Sequence, residues 1–228
     1  MSNFNYTLIS AVVMGSLALC ACKPEYETPP APSTKNNMAA AQANLNLALD
    51  YIQAEDMENA KSKLMLAMRE EPNYAPTWYT MGYFDEVTKH LPQAEADYKQ
   101  AIALDKNSGM ANNNYGTFLC RNGRYKEAIA QFMIAANQTE YLHAGGAYEN
   151  AGICALEVPD EEAAKGFFLQ ALNNEPDRKT ANFELAKIYY HEDNTAMAKM
   201  YFDRYAKLAN VPATQYAALM NQRVALRR

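Results

Sequence analysis

Three triplets, Ala60/Leu64/Ala67, Ala94/Tyr98/Ala101 and Ala128/Phe132/Ala135, stand 34 residues apart along the chain. A period of that length marks a solenoid of stacked helix pairs, because a single pair cannot bury its apolar face alone and the next pair must cover it. Five units are read in this register, 41–74, 75–108, 109–142, 145–178 and 179–212, and two extra residues near His143 and Ala144 break the spacing once.

Within the units, size is conserved by position. The eighth residue is Ala48, Gly82, Gly116, Gly152 or Ala186, small wherever the two helices of a repeat must approach closely. The twentieth is Ala60, Ala94, Ala128, Ala164 or Ala198, and the twenty-seventh is Ala67, Ala101, Ala135, Ala171 or Tyr205. Between them stands a large plug, Leu64, Tyr98, Phe132, Phe168 or Phe202. Small residues flanking a large one at i, i+4 and i+7 make a helix face that docks as a knob between shallow holes. Pro72 and Pro176 fall at position thirty-two, where proline ends the second helix.

These positions, with Trp78 and Tyr148 at the aromatic fourth place, resemble the tetratricopeptide repeat. The resemblance implies an all-α superhelix of five repeats, and helix-forming composition without alternating apolar runs points to the same class. Most of the 16 tyrosines and 12 methionines fall at helix-packing positions, so they read as core.

Leu8–Leu19 is an apolar run too short to span a bilayer but of signal-peptide length, and it leads into Cys20-Ala21-Cys22. The small residue before Cys22 resembles a bacterial lipobox, which implies a signal peptide over 1–21 and lipidation of Cys22 rather than Cys20. Met1–Thr7 departs from the usual leader in having no Lys or Arg. Residues 22–40 carry four prolines (Pro24, Pro29, Pro30, Pro32) among polar residues and read as a solvated tether. Lys23 stands where an Asp would retain such lipoproteins at the inner membrane, so the resemblance implies a lipid-anchored protein of the outer membrane with its solenoid facing the periplasm.

The formal net charge is −5, which lacks the basic footprint of a nucleic-acid binder. His90, His143 and His191 lie on different repeats, and no pair has the i, i+4 spacing of a metal site. Without a nucleophile elbow or a phosphate-cradling loop, the expectation is a protein that is not an enzyme and takes no metal, cofactor or small-molecule substrate. Cys120 and Cys154 sit on the first helices of adjacent repeats, and in an exported protein they form either a disulfide or two buried thiols.

First helices line the concave face of such solenoids, and positions two, five, nine, twelve and thirteen point into it. The expected partner groove is therefore Leu45, Leu49, Ile52, Tyr79 and Tyr83, with Glu86 and Val87 at its rim, continued by Asn113, Thr117 and Arg121. Leu45 and Leu49 replace the Lys and Asn with which tetratricopeptide cochaperones grip a terminal carboxylate. An apolar groove suits a protein segment with hydrophobic anchors, unless a flanking helix or the tether covers it.

The third-repeat tract from Asn113 to Phe132, NNYGTFLCRNGRYKEAIAQF, taken with the lipobox and five repeats, resembles the PilF/PilW family of type IV pilus biogenesis lipoproteins. Membership implies a pilotin that binds the pilus secretin subunit and promotes its outer-membrane localisation and multimer assembly. An alternative is an outer-membrane adaptor that scaffolds peptidoglycan-remodelling enzymes. Family members usually carry a sixth repeat, whereas 213–228 supplies the first helix of one (Tyr216, Leu219, Arg223), expected to act as a cap with Asn221, Gln222, Arg223, Arg227 and Arg228 as its polar side.

Overall fold

In the computed structural model, which describes residues 37–158 and 160–221, the 34-residue period becomes five antiparallel helix pairs. They are α1 (Met38–Gln53) with α2 (Met57–Glu70), α3 (Ala75–Val87) with α4 (Leu91–Leu104), and α5 (Gly109–Arg121) with α6 (Tyr125–Ala136). The stack continues with α7 (Ala144–Ala155) and α8 (Glu161–Asn174), then α9 (Lys179–His191) and α10 (Thr195–Ala209). A 3₁₀ turn, Ala213–Gln215, leads to the short α11 (Tyr216–Asn221), and there is no strand among the described residues. The expected signal peptide, Cys22 and the expected tether up to residue 36 lie outside the described residues, as do Gln222, Arg223, Arg227 and Arg228. Helix α1 begins three residues before the expected repeat start, because Asn37 accepts a bond from the Ala40 N–H and the alanines after it favour helix.

Side-chain caps recur at the second helices. Asp56, Asp160 and Asn194 each accept a bond from the backbone N–H three residues on, as Ser108 does at the start of α5. The turns inside the first, second, third and fifth pairs are built the same way. Glu55, Lys89, Gly123 and Asp193, one or two periods apart, all adopt positive φ, between 54° and 77° with Asn210 included. At these turns the next N–H bonds back to the carbonyl five residues earlier, as Asp56 does to Tyr51 and Arg124 to Leu119, so the last carbonyls of the first helix are satisfied. Only one of the four turn residues is glycine, and the other three accept left-handed strain of about 1 kcal/mol each.

The size code explains why each pair closes. A Cβ built on Gly116 would lie 2.7 Å from the Phe132 ring, and one on Gly152 would lie 2.7 Å from Phe168. The plug of the second helix thus occupies the space that a side chain at position eight would need. Leu64, Phe132, Phe168 and Phe202 are each at most 1% exposed, and the alanines at position twenty are fully buried. Tyr205, the one large residue at position twenty-seven, instead leans on Phe183, with ring centroids 4.7 Å apart.

Between repeats, polar links join the apolar layers. Glu149 holds Arg178 at 2.9 Å and also accepts the Ala181 N–H, so one buried carboxylate fastens the start of α9 to α7. Glu95 collects Lys99, Arg124 and the Tyr115 hydroxyl, and its two cationic partners draw its carboxyl down to about 2. Cys120 of α5 and Cys154 of α7 are joined by a disulfide, with Cα atoms 5.9 Å apart. The two extra residues are absorbed in the segment between α6 and α7, where Tyr141 lies over Gly109 and Leu142 is 87% exposed. At the far end Met220 of α11 is fully buried, and Tyr216 packs edge-on against Phe202.

Two outcomes follow. Gly116→Ala gains helix propensity but drives a methyl into Phe132, so the net result is a destabilisation of about 1 to 2 kcal/mol in urea unfolding. The disulfide closes a loop of 34 residues. Cys120→Ser with Cys154→Ser should therefore lower stability by about 3 to 4 kcal/mol and abolish the effect of added reductant on the unfolding midpoint.

Candidate functional site

Successive first helices touch along the stack, α1 to α3, α3 to α5, α5 to α7 and α7 to α9, and their outward residues form one continuous face. At about 100° per residue, positions five and twelve are both turned roughly 40 to 60° from position nine, to the same side. That side is the one the next first helix covers. Position nine stays at the crest.

This geometry divides the expected groove residues. Leu49 and Tyr83, both at position nine, are 42% and 37% exposed. Leu45 and Ile52, at positions five and twelve, are not groove residues: they are buried with Ala48, Ala60, Leu64, Met81 and Phe84 in the core of the first two repeats. Tyr79 is half-buried against the next core layer and forms one wall of a cavity of about 370 Å³ with Pro76, Leu104 and Met110. Burial, reinforced by Tyr74 and Tyr141, pushes its hydroxyl up to about 12, so it stays a neutral donor at physiological pH.

The third-repeat residues are placed on the same face but are already engaged. The Asn150 amide donates to Asn113 Oδ1 at 3.0 Å, and the Thr117 hydroxyl donates to the Asn113 carbonyl. Arg121 reaches back 3.3 Å to Glu86, whose other oxygen accepts from the Tyr98 hydroxyl at 3.2 Å. Burial beside Glu86 raises the Tyr98 hydroxyl well above its ordinary range. Two of these bonds, Asn150 to Asn113 and Arg121 to Glu86, link one repeat to the next, and the Arg121 head is still more than half exposed.

Two accessible residues were missing from the expected set. Ile153, position nine of the fourth repeat, is 39% exposed, and Met110, position two of the third, is 38% exposed. The register carries the signal for Ile153, which shares position nine with Leu49 and Tyr83, and position two, where Met110 stands, is itself a groove position. With Leu49 and Tyr83, Ile153 makes an apolar ladder up the first helices, interrupted by Thr117.

Among the described residues no group of three or more His, Cys, Asp and Glu side chains could hold a metal ion. No described helix is long and apolar enough to cross a membrane. What the face can do chemically is bury apolar side chains of a ligand beside polar groups held in fixed positions.

Comparison with known proteins places this architecture. The family model for the tetratricopeptide repeat matches residues 97–130, one full period across the second and third repeats. The type IV pilus assembly protein PilF of Pseudomonas aeruginosa is 26% identical over 196 residues, covering 86% of this chain and 78% of its own. An uncharacterized protein of Haemophilus influenzae is 32% identical over 126 residues, 55% of this chain and 70% of its own. The solved structure of Pseudomonas aeruginosa PilF superposes with a TM-score of 0.71 at 25% identity, over 83% of this chain and 86% of that one. That of PilW, a widely conserved type IV pilus biogenesis factor, gives 0.68 at 26%, over 80% and 83%. The chain carries a tetratricopeptide repeat and shares its solenoid fold, and about a quarter of its sequence over most of its length, with PilF and PilW. MamA, at 17% identity and a TM-score of 0.59, shares the fold alone.

The division between crest and core is testable. Leu49→Glu with Tyr83→Glu should leave the circular dichroism spectrum intact and shift stability by less than about 1 kcal/mol. Leu45→Ala or Ile52→Ala should each lower it by about 2 to 5 kcal/mol in the same titration.

Proposed function

We propose that this chain is an outer-membrane lipoprotein of type IV pilus biogenesis, a pilotin that captures the pilus secretin subunit and promotes its localisation and multimer assembly. Kinship with PilF and PilW supports the pilus system. The observation that carries a capture role is the ladder of Leu49, Tyr83 and Ile153, three large apolar side chains that stand accessible at one register position of three different repeats. A segment of the secretin would lay apolar anchors along it, with Asn113, Thr117 and Arg121 as polar flank.

The second half of the reading is the anchor. Acyl chains on Cys22 would hold the solenoid at the membrane where the ring must form, and a capture site confined to that surface raises the effective concentration of subunits there. The mechanism is binding and tethering, with no covalent step and no cofactor beyond the lipid.

In cells lacking the endogenous protein, the native chain should restore heat-resistant secretin multimers in the outer membrane. Cys22→Ser should fold normally but leave the multimers reduced or misplaced. Leu49→Glu with Tyr83→Glu should stay at the membrane yet weaken secretin capture at least thirtyfold, as expected for loss of about 2 kcal/mol at an interface centre. Normal multimers in a deletion strain, accompanied by altered cell shape, would overturn the pilotin reading in favour of a cell-wall adaptor.

A further inference from the structure

Positions eleven and twenty-three of a repeat face each other across its two helices. In the fifth repeat they are Tyr189 and Tyr201, whose rings stack with centroids 5.5 Å apart and planes 1° from parallel. In the second repeat the same two positions hold Asp85, on α3, and Asp97, on α4. The residues are 6% and 1% exposed, and one oxygen of each carboxyl, Oδ2, is buried without a hydrogen-bond donor. Two ionised carboxylates in that setting would repel each other in a medium that screens them poorly.

We propose that Asp85 and Asp97 share one proton, and that this carboxyl–carboxylate hydrogen bond is a pH-sensitive clasp between the two helices of the second repeat. The remaining oxygens are supported from outside the pair. Gln93 donates to Asp97 Oδ1 at 3.1 Å, and His90 Nδ1 lies 3.6 Å from Asp85 Oδ1 while also contacting the Thr88 hydroxyl at 3.0 Å. Lys61, on α2 of the preceding repeat, is the further charge acting on Asp85. None of these groups donates a hydrogen bond to either Oδ2.

Burial and the hydrogen bond that its protonated form donates to Asp85 push the Asp97 carboxyl up to about 8, and burial raises Asp85 as well. An unfolded Asp ionises near about 4. Between roughly pH 4 and 8 the folded chain therefore holds a proton that the unfolded chain has lost, so the clasp's contribution is full below that window, declines as pH rises through it and is gone above. The adjoining residues, Glu86 and Tyr98, are the pair that carries Arg121, so the clasp and the polar flank of the groove rest on the same two helices.

Thermal unfolding of the purified full chain at pH 5.5, 7.0 and 8.5 tests this, alongside Asp97→Asn and Asp85→Asn. An amide can donate to the remaining carboxylate without a titrating proton. The native chain should fall behind both variants by several degrees in Tm between pH 5.5 and 8.5, and infrared spectra should show a protonated carboxyl at pH 6.5 that either substitution removes. A difference between native and variant Tm that stays constant with pH, or two ionised carboxylates in the native spectrum at pH 6.5, would overturn the clasp. If a variant does not fold, the native spectrum decides alone.

Discussion

Everything in this solenoid depends on an absent side chain. At position eight the first helix offers only hydrogen or a methyl group, and the plug of the second helix fills the space, Phe132 against Gly116 and Phe168 against Gly152. That interlock fixes how near the two axes lie, and with it the angle at which one pair can be laid on the next. Two of the buried carboxylates tie neighbouring repeats together: Glu149 to Arg178 and the Ala181 N–H, Glu86 to Arg121 while also accepting from Tyr98.

The architecture was legible because size at fixed positions is a local property. Ala60, Leu64 and Ala67 declare their packing in the sequence itself, and the helices fall where the register puts them. Burial within the groove was less legible because it depends on the neighbouring repeat. Leu45 and Leu49 are both leucines four residues apart on one helix, yet about 40° of rotation puts the first under α3 and leaves the second in solvent. No residue type distinguishes them. Only the direction in which the next pair is laid does so.

Polar residues were hardest to read for a related reason. Asn113, Thr117 and Arg121 look like free recognition groups when the third repeat is considered alone, but the partners of Asn113 and Arg121 are 37 and 35 residues away, one repeat on and one repeat back. The Asp85 and Asp97 pair was hidden in the same manner, since carboxylates on helices usually read as a solvated face. Their positions, occupied elsewhere by stacked tyrosines, show that this one does not.

The disulfide between Cys120 and Cys154 joins the helices on either side of the segment in which the period slips by two residues. An irregular junction is where a stacked superhelix would most easily bend, and it is the junction that carries a covalent strut. Repeats three and four are therefore restrained by a covalent bond from turning against each other, and a ligand laid along the first helices across that junction would meet a surface whose curvature is held.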